Sequence, residues 1–151
     1  AGYFGNDALL DRDYQKTATF DYVKTANGYL QAMMPYYKNF TWKGVMTSSE
    51  DGGEGNFERV QRMESAKTVK KVEGTEDVLV GVFEDKDARE GYMVVNFTDP
   101  GRKLDNEVTL TVESVHNAIV VLNGVKSVRP VKDGKLTLSL KSGEGCFVIP
   151  Y

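Results

Sequence analysis

From Phe40 to the end of the chain, apolar residues fall on every second position, and that period sets what the chain can fold into. Side chains of an extended strand alternate between two faces. Val108, Leu110 and Val112 set against Thr109 and Thr111 therefore describe a strand with one dry side and one wet side. Leu136, Leu138 and Leu140 alternate with Thr137 and Ser139 in the same way, and Met93, Val95 and Phe97 oppose Tyr92, Val94 and Asn96. The pattern predicts strands over residues 40–47, 67–72, 78–84, 92–98, 107–113, 118–122, 125–131, 135–140 and 146–150. Asn123-Gly124 and Asp133-Gly134 supply the positive φ that two-residue type I′ turns require, so each predicts a hairpin. Gly143-Glu144-Gly145 reads as the turn of a closing hairpin, with Glu144 a turn residue. Short strands at this spacing predict a mainly β fold, an antiparallel β-sandwich of two sheets with Greek-key-like connections.

Before residue 40 the period is different. Ala8-Leu9-Leu10 is a short apolar run stopped by Asp11-Arg12-Asp13. Between residues 17 and 34, Phe20, Val23, Leu30 and Met34 recur at helical spacing, with Tyr22, Ala26, Tyr29 and Met33 on adjoining rows. One α-helix is expected ahead of the sandwich, with Thr17 as its N-cap and Pro35 at its end. Gly28 inside it costs roughly 1 kcal/mol against Ala, which points to close backbone packing. The expected organisation is a strand-and-helix segment over 1–40 and a sandwich over 41–151. Residues 48–55 lack an apolar anchor and read as a loop, and residues 56–63 fit a short helix or an edge strand equally well.

A chain of 151 residues supports one domain with an appended element. Its 40% hydrophobic and 27% charged residues are an ordinary globular composition. With a net charge of −3 it has no basic stripe to release counterions from DNA or RNA, so no nucleic-acid partner is expected. One cysteine and one histidine exclude an internal disulfide and a Cys/His zinc cluster, and no cofactor is implied. Cys146, beside Phe147, Val148 and Ile149, fits a small buried apolar position. No apolar run approaches the roughly 20 residues that cross a bilayer, so no membrane partner is expected. Ala1-Gly2-Tyr3-Phe4-Gly5 carries neither an initiator Met nor a signal-peptide pattern, and reads as the start of a processed or recombinant fragment. A cytoplasmic and an extracytoplasmic bacterial location both stay open.

Each candidate for chemistry has a plain counterpart. Glycoside hydrolysis needs two facing carboxylates roughly 5–5.5 Å apart for retention or 6.5–9.5 Å for inversion. Glu58, Glu64, Glu73, Glu84 and Glu90 are instead scattered among Lys, Arg and Gly, as solvated faces and loops require. His116 between Ser114 and Asn117 reads as a strand-end histidine, since no nucleophile elbow accompanies it. Asp85-Lys86-Asp87-Ala88-Arg89-Glu90-Gly91 begins like a calcium loop. It then puts Arg89 where a third oxygen ligand belongs, and reads as a polar hairpin loop. Gly52-Gly53-Glu54-Gly55 lacks the lysine of a phosphate loop. Tyr36, Tyr37, Phe40 and Trp42 form an aromatic group of the kind that stacks on pyranose rings, and also one that fills a junction between helix and strand. Period two puts Phe40 and Trp42 on one side, consistent with core. Asn39-Phe40-Thr41 and Asn96-Phe97-Thr98 are glycosylation sequons in form, with modification not expected.

Val78-Leu79-Val80-Gly81-Val82-Phe83, Tyr92-Met93-Val94-Val95-Asn96-Phe97-Thr98, and the Gly143-Glu144-Gly145-Cys146-Phe147-Val148-Ile149-Pro150 ending together resemble a known type of domain. It is the C-terminal β-sandwich that follows the (β/α)8 barrel in bacterial glycoside hydrolases, including family 42-type β-galactosidases. Ala8-Leu9-Leu10-Asp11-Arg12-Asp13 and Phe20-Asp21-Tyr22-Val23-Lys24 are similar to the last strand, loop and helix of such a barrel. The resemblance implies a non-catalytic accessory domain that stabilises a parent barrel and shapes its cleft or an oligomer interface. The catalytic glutamates would lie on earlier barrel strands, so it places no catalytic residue in this chain. The alternative is a carbohydrate-binding module with Trp42, Tyr36 and Tyr37 as its platform for an oligosaccharide.

Overall fold

The computed structural model describes residues 39–49 and 62–151, all within one compact unit, Tyr37–Tyr151. The expected helix over 17–34 and the organisation of residues 1–38 lie outside the described residues. The strands are β1 (Thr41–Thr47), β2 (Val69–Gly74), β3 (Val78–Glu84), β4 (Glu90–Asn96), β5 (Asn106–Val112), β6 (Asn117–Leu122), β7 (Val125–Pro130), β8 (Lys135–Leu140) and β9 (Gly145–Pro150). Each coincides with a segment of two-residue period to within two residues at either end.

All strand pairs are antiparallel and form two sheets, ordered β1-β3-β4-β9-β6-β7 and β2-β5-β8. The two sheets share one hydrophobic core. Val80, Val82, Tyr92, Val94, Val120, Cys146 and Val148 of the larger sheet meet Val69, Val72, Val108, Leu110, Leu136 and Leu138 of the smaller. Strict alternation puts every second side chain of β5 and β8 into this core, because one face of a strand serves one layer only.

Two expected hairpins turn out to be crossings between sheets. β8 pairs only with β5, and β9 lies between β4 and β6, so the Gly143 turn carries the chain from one sheet to the other. Gly143 has φ 74, as the glycine-rich turn requires, but its flanking strands are not partners. Asp133-Gly134 adopts the expected turn, with φ 52 and 71, closed by reciprocal Lys132 and Lys135 backbone hydrogen bonds. It too joins strands of different sheets. A turn dipeptide fixes only local backbone direction, and core packing then decides which sheet receives the strand. Asn123-Gly124, with φ 52 and 76, does close a hairpin, between β6 and β7.

The outward faces differ in chemistry. On the smaller sheet, Glu73, Thr109 and Thr137 lie in one cross-strand row and Lys71, Thr111 and Lys135 in the next, an ordinary wet face. On the larger sheet the corresponding rows hold Val45, Gly81, Met93, Phe147 and Val121. Phe147 and Val121 are fully buried although they point away from the shared core. Phe40 and Phe83 pack edge-on against Phe147, with ring centroids 5.4 and 6.2 Å away. Gly91 permits that packing, since a Cβ there would lie 2.7 Å from Phe147 Cζ and 2.9 Å from Phe40 Cε1.

Candidate functional site

Two described aromatics are exposed, Tyr151 at the chain's last position and Trp42, which at 47% exposure stands on edge strand β1, opposite Phe83 on the outward face of the larger sheet. The expectation that Phe40 and Trp42 belong to the core is corrected in part. Phe40 is half-buried against Phe147, and Trp42 stands in solvent at the sheet edge. A register shift between Trp42 and Gly44 follows both rings, and Phe40 lies before the strand, packed on Phe147, whereas Trp42 pairs with Phe83 on the edge strand itself. Tyr36 and Tyr37, the other proposed platform residues, lie outside the described residues.

Beside Trp42, at the same end of the sheet, is an open cleft of about 460 Å³ lined by Lys43, Met63, Ser65, Ala66, Lys67, Glu84 and Glu90. Glu84 and Glu90 face each other directly across β3 and β4. Like charges so placed repel, and each is relieved by different partners. Lys67 Nζ lies 2.8 Å and Lys43 Nζ 3.8 Å from Glu84, and the Lys67 hydrogen bond holds the Glu84 carboxyl below its ordinary range. Glu90 Oε1 accepts hydrogen bonds from Tyr92 Oη at 2.5 Å and from the Thr68 N–H at 2.8 Å.

Glu90, only 8% exposed, is thus not the solvated carboxylate that its neighbours imply. The signal was in the period: Glu90 shares a strand face with Tyr92 and Val94, and that face enters the core. Both carboxyls are held by the protein's own groups, Glu84 by Lys67 and Lys43 and Glu90 Oε1 by the Tyr92 hydroxyl and the Thr68 N–H.

The calcium-like loop spends its ligands on itself. Asp85 Oδ1 accepts the Asp87 and Arg89 N–H groups, each at 2.9 Å, and Arg89 Nε lies 3.2 Å from Oδ2. A cation would have to displace a guanidinium. No cluster of His, Cys, Asp and Glu among the described residues has metal-holding geometry. His116 is exposed at the start of β6, its backbone N–H bonded to the Tyr151 carbonyl. Asn39 is exposed in a turn. Asn96 is 2% exposed, and its Nδ2 donates to the Leu104 and Leu140 carbonyls at 2.8 and 3.3 Å, so the second sequon is closed to modification in the folded chain.

Buried polar side chains tie the sheets at the opposite end. Asn106, fully buried, donates from Nδ2 to the Asp77 carbonyl at 3.0 Å and to Asn96 Oδ1 at 3.4 Å, and its Oδ1 accepts the Glu76 N–H at 3.1 Å. These amides satisfy one another and present no free group to a ligand.

No protein-family profile, curated protein or solved structure matches this chain.

Proposed function

We propose that this β unit is a Greek-key-like β-sandwich that serves as the non-catalytic C-terminal accessory domain of a bacterial glycoside hydrolase, stabilising its catalytic barrel and shaping the cleft or an oligomer interface. The supporting observation is the pair of apolar faces on the six-stranded sheet, with Phe147 and Val121 buried on the side away from the shared core. A sheet dry on both faces belongs between two layers, whereas the Thr, Ser, Lys and Glu face of the smaller sheet belongs in water. In this reading the apolar side turns toward the barrel. The coding sequence immediately upstream of Ala1 tests the proposal. Several hundred residues of alternating strands and helices support it, and a secretory signal ending at Ala1 overturns it. The chain by itself is expected not to turn over aryl glycosides.

The exposure of Trp42 favours a second reading, a carbohydrate-binding module. A half-exposed indole at a sheet edge offers a flat apolar face and an N–H to a sugar ring. As the chain's single tryptophan, it reports its own surroundings. Saturable quenching of its fluorescence by an oligosaccharide, abolished in Trp42→Ala with the fold intact, would establish this reading. Unchanged emission at saturating sugar would dismiss it.

A further inference from the structure

The net charge of −3 conceals a local concentration of positive charge. Lys126, Arg129, Lys132 and Lys135 fall within one short stretch whose only carboxylate is Asp133. Ion pairs elsewhere use Lys43, Lys67, Lys70, Lys71 and Arg89, all earlier in the chain. Among the described residues, none of the four later cations joins an ion pair. The fold gathers three of them. β7 is the edge of the larger sheet and β8 the edge of the smaller, and the chain crosses between them at residues 131–134. The crossing leaves an open cleft of about 530 Å³ lined by Arg129, Pro130, Lys132, Asp133, Lys135 and Thr137, floored by Leu136.

We infer that this cleft binds a carboxylate-bearing polysaccharide, a uronate chain. Arg129 is half-buried beneath the edge, where its planar fork can take a carboxylate bidentately. Lys132 and Lys135 are exposed at the mouth, where they act as point charges along an extended polymer. Thr137, also exposed, offers a hydroxyl to sugar hydroxyls. A nucleic acid fits less well. Among the described residues, no aromatic ring lines the cleft for base stacking. The site is separate from Trp42, and its occupancy does not depend on what the parent protein hydrolyses.

The test is affinity electrophoresis and calorimetry of the full chain with polygalacturonate at about 0.01 M salt, where charges are weakly screened. Saturable binding is expected, weakened about tenfold by the combined Arg129→Gln, Lys132→Gln and Lys135→Gln variant, as the loss of two exposed ion pairs and one half-buried one would give. Lys103→Gln with Lys141→Gln, two cations outside the cleft, is expected to bind as the parent chain does. Lys132→Gln alone, at an exposed turn flank, gives a smaller loss without risk to the fold. The inference falls if polygalacturonate does not bind, or if the triple variant binds unchanged. It also falls if the distant pair weakens binding equally, if neutral galactan binds as tightly, or if a single-stranded oligonucleotide binds better.

Discussion

Tyr92 donates its hydroxyl hydrogen to Glu90 from two positions along the same strand, Oη to Oε1, at 2.5 Å. The same hydroxyl oxygen accepts the Val69 N–H at 3.2 Å, and the Thr68 N–H also reaches Glu90 Oε1. Val69 opens β2 in the smaller sheet, whereas Tyr92 belongs to the larger one. One phenol therefore fastens the two sheets and holds a carboxylate at their rim.

Removing that hydroxyl should be costly out of proportion to its size. Tyr92→Phe keeps the ring but leaves the Val69 N–H without its acceptor and Glu90 without its short donor. A loss of about 1–3 kcal/mol is expected in urea denaturation. A change below about 0.5 kcal/mol, typical of an inconsequential surface site, would remove the staple from the account.

At the other end, Asn106→Asp is nearly isosteric but reverses the chemistry. A carboxylate would set acceptor against acceptor at the Asp77 carbonyl and Asn96 Oδ1, with a buried charge besides. The expected destabilisation is about 3 kcal/mol or more at neutral pH, easing as the pH is lowered and the new side chain protonates. Equal denaturation midpoints for the two proteins at pH 7 would contradict it.

Gly91→Ala tests packing on the outward face of the larger sheet. The new methyl would meet the rings of Phe147 and Phe40 at under 3 Å, so about 1–3 kcal/mol should be lost through overpacking. Phe147→Leu frees space at the same point. A double-mutant cycle should show the two changes coupled by at least about 0.5 kcal/mol, and additive costs would mean that the rings do not crowd that position.

The alkaline limb of stability should be steep. Burial raises the Cys146 thiol from 9.0 to about 12, and burial, helped by the Glu90 hydrogen bond, raises the Tyr92 phenol above its ordinary 10.0. In both cases the folded chain keeps a proton that the unfolded chain releases. Stability from these groups is therefore fully present below about pH 9 and declines as the pH climbs from there toward about 12. Urea midpoints measured along that range check the direction. Cys146 should react with thiol reagents only at the rate of unfolding, and rapid labelling of the native protein would refute its burial.

Most of the strand layout was legible in the sequence, because period two is the direct imprint of a strand with one wet face. Leu136, Leu138 and Leu140 all reach the core as their spacing requires. Sheet membership was not legible. Gly143 and Asp133-Gly134 carry genuine turn signals, yet the strands they join belong to different sheets and do not pair. Strand partnership is a long-range property, and a two-residue turn holds no information about it. Glu90 was misread for a related reason: its composition is that of a surface residue, and only Tyr92 two positions away discloses the buried partner. The basic cleft was invisible to net charge, since Lys132 and Lys135 come beside Arg129 only where the chain changes sheets.

The central place of β9 in the larger sheet has a consequence for biosynthesis. Until residues 145–150 have left the ribosome, β1-β3-β4 and β6-β7 have nothing to join them, and β4 and β6 each present a bare apolar edge. Vectorial synthesis thus cannot finish this sheet piecemeal. The nascent chain must carry the open edge of β4 while residues 97–150 are made, a stage at which chaperone protection matters more than it does for folds whose middle strands are made early.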